Sequence, residues 1–425
     1  MKNFFKSQDR KDCTGCSACE NVCGVSAISL KEDSEGFLYP EIDSDKCVGC
    51  NMCQKVCPVA NSYSNALYDN KKAYIGVTKH TEYSKSSATI GVCTMISESI
   101  IKQGGVVYGC WLDETKWMPK HMRVDNLKDL ELIRNSKYAQ SRMGGLFAEI
   151  KTLLKEETLV LFIGTPCQVA GLRSFLRKDY QRLYTIDLIC HGVFSYKLLQ
   201  QEVKYWEKKF GAKLRNYKFR SKQKYPYSMG GVVNFDLYDN DTFLNHIERY
   251  AAYSPVYRLY AYSPDRIWYN LRPSCYSCSF RNKERVGDLT VGDPHGVSPS
   301  CQGDLADYKW SVKGKTLLLA NTSKGEKLLK DIDELTILKD IPMQEAFVQQ
   351  ALKPESLEIP KERSSFYDCI KQDNLGDKVE SFYKLDLEKE NQTFERGWKK
   401  RALKGWIKRA IKKVIFYKFW KNVVS

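Results

Sequence analysis

Eight of the sixteen cysteines in this 425-residue chain crowd into its first 57 positions, in two blocks of identical spacing. Cys13, Cys16, Cys19 and Cys23 read C-x2-C-x2-C-x3-C; Cys47, Cys50, Cys53 and Cys57 repeat it and run into Pro58. Thiolates stepped in threes can wrap three corners of one 4Fe-4S cube while the fourth reaches across to a second cube. On that pattern Cys13, Cys16, Cys19 and Cys57 hold one cluster, and Cys47, Cys50, Cys53 and Cys23 hold the other. Zinc, the competing metal, takes a cysteine pair and a distant second pair rather than three at steps of three. A disulfide framework belongs to oxidising compartments, and the opening MKNFFKSQDRKDC lacks the apolar stretch of a secretory signal. The expectation is a ferredoxin-like domain over residues 1–60 in a reducing cytoplasm.

A chain of this length holds two or three domains, and its 43% hydrophobic content suffices for an ordinary core. No run approaches the apolar length of a membrane span. The net charge of +16 is uneven: Arg396 to Ser425 carries eleven Lys or Arg and no acid. Cys93, Cys110, Cys301 and Cys369 stand in no ligand-like spacing and read as core cysteines.

After a polar linker (61–71), strands are expected at Ala73–Val77 and Val106–Cys110, and helices over Ser86–Gln103, Asn126–Asn135 and Leu146–Lys155. Between Thr158 and Arg177, LVLFI is a buried-strand run, GTP a turn and CQVAGLRSFLRK an amphipathic helix; Leu183–Ile189 is the next strand. Strand, helix, strand implies a parallel unit, with its ligand crevice beyond the carboxyl ends of the strands. Cys167 and Cys190-His191-Gly192 sit at those ends. A helix Tyr196–Phe210, a basic aromatic loop, the strand VVNFDLY, Cys275-x2-Cys278, a strand Asp288–Gly292 and a strand KTLLLA follow. Ser323-Lys324-Gly325-Glu326 has the form of a capping box opening a last helix. Cys275 and Cys278 could chelate a metal with Cys167 and Cys190, but C-x2-C alone also serves zinc or plain structure.

The words around these cysteines carry a resemblance. SKYAQSRMG (136–144), LFIGTPCQVAGLRSFL (161–176), DLICHGV (187–193) and LRPSCYSCSFRNKERVGDLTVGD (271–293) resemble the family of coenzyme F(420) hydrogenase/dehydrogenase beta subunits. The resemblance takes in SSATIGVCTMIS and VVYGC and runs from about residue 73 to 363. It implies an iron–sulfur flavoprotein oxidoreductase that binds FAD and passes electrons between clusters and a two-electron acceptor or donor. It places a third 4Fe-4S cluster on Cys167, Cys190, Cys275 and Cys278. The implied fold is α+β and multidomain: the ferredoxin-like domain, a mixed α/β flavin and iron–sulfur domain (72–155 and 156–368), and a C-terminal extension (369–425) with a basic amphipathic helix. Ferredoxin or another redox subunit is the implied partner, and coenzyme F(420) stays open because no residue identifies its phenol or acidic tail. Two departures stand out: Ser87-Ala88-Thr89-Ile90-Gly91 replaces a usual Ser-Gly-Gly step, and Pro294-His295 replaces an aromatic pair after Gly-Asp.

Flavin belongs beside clusters for a physical reason: clusters carry one electron, whereas an organic substrate takes two. Ser86, Ser87 and Gly91 at a helix start, with Ser136, Lys137, Tyr138 and Gln168 from the matching motifs, are the candidate flavin contacts. His191 and His295 are the candidate proton donors, since imidazole titrates near neutral pH; a hydrogen-bonding role beside Cys190 competes for His191. Arg220, Lys222 and Lys224 could meet an acidic group. The alternative function is a non-catalytic 4Fe-4S electron-transfer subunit docked to a partner enzyme or membrane.

In the tail, Trp398, Leu403, Trp406, Ile407, Ile411, Val414, Ile415 and Phe419 form one helical stripe against a Lys/Arg face. That pattern suits a helix lying on an anionic membrane surface, which would place the protein peripherally at the inner face of the membrane. Packing on its own core or on a partner is the other reading. Nucleic acid is not expected, because phosphate contact needs no apolar stripe.

Overall fold

A computed structural model describes residues 4–61, 71–79, 81–222, 231–263, 267–303, 305, 314–348, 352–353 and 356–400. The cysteine repeat is also a repeat of backbone. Gly15 and Gly49, 34 positions apart, have φ of +67° and +66°, and Ser17 and Asn51 follow at +67° and +58°. Each left-handed pair turns the chain inside its C-x2-C-x2-C step, so that the cysteines face inward rather than continuing a strand. Short helices α1 (Ala18–Val22) and α2 (Met52–Lys55) follow the turns. Between them β1 (Ile28–Glu32) and β2 (Leu38–Ile42) form an antiparallel hairpin.

Eight strands build the central sheet: β3 (Lys72–Thr78), β4 (Val106–Asp113), β5 (Met118–Val124), β6 (Val160–Gly164), β7 (Leu183–Leu188), and, after the smaller sheet described next, β11 (Leu289–Gly292), β12 (Thr316–Ala320) and β13 (Thr336–Ile341). The smaller antiparallel sheet consists of β8 (Lys213–Lys218), β9 (Val232–Asp239) and β10 (Thr242–Tyr250). The central order is β13-β3-β12-β11-β7-β6-β4-β5, in which β4, β6, β7 and β11 run parallel and the flanks are antiparallel. Parallel strands buried on both faces read as unbroken apolar runs, which is why Leu159–Ile163 was legible, while Leu183–Ile189 carries the buried Thr185 and Asp187 among its apolar residues.

Helix α3 (Val92–Lys102) covers one face, with Met95, Ile96 and Ile100 packed on Leu161, Ile186 and Leu289. Helices α4 (Leu146–Lys155) and α5 (Pro166–Leu176) cover the other, and their core continues into Cys16, Ala18 and Val56 of the cysteine-rich module. Helix α6 (Tyr196–Phe210) packs on the smaller sheet through Leu199, Val203 and the fully buried Trp206. The module is thus joined to the sheet by a shared core. Polar ties add register: Asn21 Nδ2 donates to the carbonyl of Gly144 (2.8 Å), and Lys197 pairs with Glu32 (2.9 Å).

Several expectations are corrected. The helix expected over Ser86–Gln103 begins only at Val92, because Gly91 sits at φ +82° as its N-cap. The helix expected over Asn126–Asn135 shrinks to Leu130–Ile133; Asn126 Oδ1 instead accepts from the backbone N–H of Asp129 (2.9 Å) in a local turn. Helix α7 (Ser323–Lys330) is capped by Thr322, whose hydroxyl accepts from the N–H of Gly325 (3.3 Å), not by Ser323. Cys369 is a core cysteine as expected, whereas Cys93 and Cys110 are half-buried on a cavity wall. Among the described residues no helix is long and apolar enough to cross a membrane. Residues 387–400 are helical; the basic stripe beyond Lys400, the linker 62–70 and Lys224 lie outside the described residues.

Candidate active site and cysteine groups

The carboxyl ends of β6, β7 and β11 converge, and the loops leaving them carry Thr165-Pro166-Cys167, Cys190-His191-Gly192 and Asp293-Pro294-His295. Here a cavity of about 930 Å³ opens, walled by Cys167, Cys190, Cys275 and Cys278 among others. That volume is within the usual range for cofactor and small-molecule pockets. Cys275 N–H donates to the carbonyl of Arg272 (2.8 Å), which fixes the short helical turn Pro273–Tyr276. Gly192 N–H donates to Cys190 Sγ (3.4 Å), and Gly192, at φ +119°, approaches Cys275 so closely that a Cβ would lie 3.2 Å from Cys275 Cβ. Thr165 Oγ1 lies 3.1 Å from Cys167 Sγ.

The four sulfurs act on one another electrostatically: Cys190 feels Cys167 and Cys278, and Cys275 feels Cys278, Cys190 and Cys167. Burial pushes the Cys167 thiol up to about 11 and Cys190 up to about 12. Buried thiols ionise readily only when a metal takes up the charge. In the module, Cys16 is raised by burial and by Cys57 and Cys13, and Cys19 by burial and by Cys16, Cys13 and Cys57. Cys53 is raised by burial, with Cys50 and Cys47 adding to it. Cys57 thus stands across the blocks with Cys13, Cys16 and Cys19, while the neighbours that raise Cys53 are Cys50 and Cys47 of its own block. Gly15 N–H donates to Cys13 Sγ (3.4 Å) and Ala27 N–H to Cys23 Sγ (3.2 Å), the backbone-to-sulfur bonds that a ligating thiolate accepts. Among the described residues no three His, Cys, Asp or Glu are gathered as a single-ion site; a cube spreads its ligands more widely than one ion does. The sulfur donors and their N–H partners fit 4Fe-4S clusters.

The groups are ordered from surface to cavity. Cys47 and Cys50 are exposed, Cys16 is buried, and Cys16 lies against α5 at Gly171, one turn along from Cys167. A Cβ at Gly171 would stand 3.1 Å from Cys16 Sγ.

Of the candidate flavin contacts, Ser87, Gly91, Ser136, Lys137, Tyr138 and Gln168 all line the cavity. Ser86 does not; it ends the helix Thr81–Ser86 and donates to the carbonyl of Glu82 (2.9 Å). A Cβ at Gly91 would meet Tyr83 Cβ at 2.9 Å and Ser87 Oγ at 3.1 Å, so the bend needs glycine. Ile90 turns into the core at 0% exposure, which leaves Ala88 and Thr89 on the wall where the Ser-Gly-Gly step would lie. Lys137 Nζ is spent on the carbonyls of Leu132 (3.1 Å) and Arg134 (2.5 Å), and burial pushes it down to about 8. Gln168 is likewise occupied, its Nε2 donating to Ser141 Oγ (2.8 Å) and its Oε1 accepting from Thr165 N–H (3.0 Å). It closes the capping box of α5 and so holds Cys167 in place.

His191 and His295 both line the cavity. His191 stands edge-on to Trp268, with ring centroids 5.8 Å apart, and burial followed by the charges of His295 and Arg281 pushes it down to about 4. His295 is largely exposed and lies 3.5 Å from Asp293, which Arg220 grips at 2.7 Å. Asp293 is held well below the carboxylate range by Arg220 and His295 despite its burial.

Sequence reasoning missed His121, Ser141 and Lys315 on the wall. His121 Nδ1 lies 3.0 Å from Ser141 Oγ, and its Nε2 lies 3.0 Å from the carbonyl of Ile163. A lone histidine in Met118–Val124 (MPKHMRV) gives no signal of this. Arg272, directly before Pro273-Ser274-Cys275, was legible only as part of a motif.

A paired-cysteine iron–sulfur module fused to an α/β domain, with a further cysteine quartet at the sheet's carboxyl edge, defines an iron–sulfur electron-transfer protein. Comparison with known proteins makes the class specific. Residues 157–345 match the family described as the C terminus of the coenzyme F420 hydrogenase/dehydrogenase beta subunit, and residues 12–61 match a 4Fe-4S dicluster domain. The matched region contains the Cys167, Cys190, Cys275 and Cys278 motifs that carry the resemblance. The chain is similar to the F subunit of the F(420)H(2) dehydrogenase of Methanosarcina mazei, 22% identical over 201 residues, 45% of this chain and 56% of the relative. The chain thus spans a little over half the length of the curated relative it matches. A chain of the F420-reducing [NiFe] hydrogenase complex from Methanosarcina barkeri aligns at 16% identity and a TM-score of 0.41, over 73% of this chain and 90% of that one.

Proposed function

We propose that the protein is an iron–sulfur flavoprotein oxidoreductase that moves electrons between 4Fe-4S clusters and a two-electron acceptor or donor through FAD. The observation that carries this reading is one cavity shared by the Cys167, Cys190, Cys275 and Cys278 quartet and by the Ser87–Gly91 bend at the start of α3. A plain electron carrier has no use for a pocket of about 930 Å³ beside its innermost ligands.

The outer ligand sets are Cys47, Cys50, Cys53 with Cys23, and Cys13, Cys16, Cys19 with Cys57; the quartet is the third. A flavin supplies the conversion between single electrons and pairs. Gly91 and Ser87 offer a bend at a helix N-terminus for its pyrophosphate, and the Tyr138 ring, packed on Tyr257 (5.6 Å) and Tyr260 (5.5 Å), gives a rigid apolar wall. Arg220 and Asp293 form a buried pair at the side where Pro294-His295 departs from the family, and His295 is the proton-donor candidate open to solvent. His191, held toward its neutral form by burial and packed edge-on to Trp268 beside Cys190, is the candidate hydrogen-bonding group there.

The exposed Cys47 and Cys50 favour docking of a ferredoxin or another redox protein at the outer cluster. Attachment to an anionic membrane through residues 396–425 rests on the sequence pattern, and liposome pelleting with and without that segment tests it. The function itself is tested by anaerobic purification with iron, sulfide and flavin assays. About twelve irons and one FAD per chain are expected; about eight irons without flavin would reduce the protein to the non-catalytic electron-transfer subunit.

A further inference from the structure

Arg272 is fully buried, yet each of its hydrogen bonds goes to a neutral oxygen. Nε donates to the carbonyl of Cys13 (2.9 Å), Nη1 to Gln140 Oε1 (2.6 Å) and Nη2 to the carbonyl of Leu38 (2.9 Å). Its guanidinium lies 4.3 Å from the centre of the Tyr39 ring and 5.5 Å from that of Phe37. No carboxylate bonds to it among the described residues. A buried cation without an anion carries a large uncompensated desolvation cost, so this charge calls for a negative partner. After the Tyr39 phenol, the groups that most favour its charged form are Cys13, Cys275 and Cys167, one from the module and two from the cavity quartet.

Arg272 therefore stands between two cysteine groups. Its backbone belongs to the quartet's loop, with its N–H donating to Val193 (2.8 Å) and its carbonyl accepting from Cys275. Its fork reaches across the module interface to the backbone of both Cys13 and Leu38. Gly15 keeps the approach open: a Cβ there would come within 2.5 Å of Gln140 Nε2 and 3.0 Å of Arg272 Nη1.

We infer that Arg272 is the shared counter-charge of the clusters at Cys13/Cys16/Cys19/Cys57 and at Cys167/Cys190/Cys275/Cys278, raising the reduction potential of both and holding them at a fixed separation. The inference rests on the cluster reading above. A fixed cation in a low-dielectric interior stabilises the more negative, reduced form of each neighbouring cluster. Acting on two neighbours alike, it shifts both potentials in the same direction and leaves the gap between them unchanged. The outer group, Cys47, Cys50, Cys53 and Cys23, takes none of the hydrogen bonds of Arg272 and faces solvent at Cys47 and Cys50, so the effect on it should be the weakest.

The test is an anaerobic redox titration of the full chain followed by electron paramagnetic resonance. Two variants remove the charge differently: Arg272→Gln deletes it, and Gln140→Glu neutralises it across the 2.6 Å contact while the guanidinium stays. In both, the midpoints of the two inner clusters should move to more negative potential and the outer one should move least; Arg272→Lys should leave all three near wild type. Unchanged inner midpoints in both variants, or an equal shift of all three clusters, would overturn the inference. Loss of iron from both neutralised variants but not from Arg272→Lys supports it, whereas loss from all three assigns the arginine to packing alone and overturns it. A wild-type chain with only two reducible clusters would refute the quartet as a ligand set while leaving the effect on the Cys13 cluster measurable.

Discussion

Gly171 offers a sharp test of how closely the cysteine-rich module sits on the α/β domain. It lies in the interior of α5, where alanine would be more favourable by about 1 kcal/mol. An alanine Cβ would meet Cys16 Cβ at 2.9 Å, Sγ at 3.1 Å and the carbonyl oxygen at 3.5 Å. Carbon atoms pack best at about 3.5–4.0 Å, so α5 or the Cys13–Cys19 loop must retreat by roughly 1 Å. Cys16 cannot swing aside cheaply, because its backbone is pinned by the left-handed residues Gly15 and Ser17 on either side. Overpacking of this kind costs about 1–3 kcal/mol, so Gly171→Ala should destabilise by about 1 kcal/mol after the helix gain is subtracted. The assay is anaerobic thermal unfolding with iron release followed in parallel. A midpoint lower by about 2–4 °C is expected for a domain of this size, with iron released earlier than in wild type. A variant that melts higher and keeps its iron equally long would show that the contact is slack and that the reasoning from it fails.

Two further outcomes are expected. His121 is buried and pushed down to about 4 from 6.5 by burial, with Lys137 adding to it, so the fold favours its neutral form. Stability from this group is complete above pH 6.5 and is lost as pH falls toward 4; about 1 kcal/mol should go between pH 7 and 5.5, and His121→Gln should remove that part of the pH dependence in urea unfolding. Equal slopes for the two proteins would sink the assignment. Cys278→Ser should lower the iron content by about four per chain, whereas Cys301→Ser, outside all three groups, should leave it unchanged; colorimetric iron assay of both decides.

The elements that were legible were those whose surroundings demand one residue type. β6 and β12 are enclosed on both faces and write themselves as apolar runs. Helices α4 and α6 carry apolar residues at helical spacing and were placed to the residue. Strand β5, with Lys120, His121 and Arg123, and strand β10, exposed along most of its length, gave no such pattern. The start of α3 was misplaced because Ile90 is apolar at helical phase yet fills the core from a bend. At the site, the cysteines of the module could be grouped from their spacing, whereas Cys167, Cys190, Cys275 and Cys278 could be grouped only through the resemblance. Arg272, His121 and Ser141 were not legible, because their roles depend on partners more than a hundred residues away or on sheet neighbours that no local pattern specifies.

The gradient from exposed Cys47 and Cys50 to buried Cys16 also sorts the two sulfur groups of the module by vulnerability. Oxidants attack accessible thiolates first, so molecular oxygen would reach the cage at Cys47 and Cys50 before the one at Cys16. The wire would be cut at its plug rather than at its core. Repair of one solvent-facing cage would then restore the path, without unfolding the domain that encloses the others.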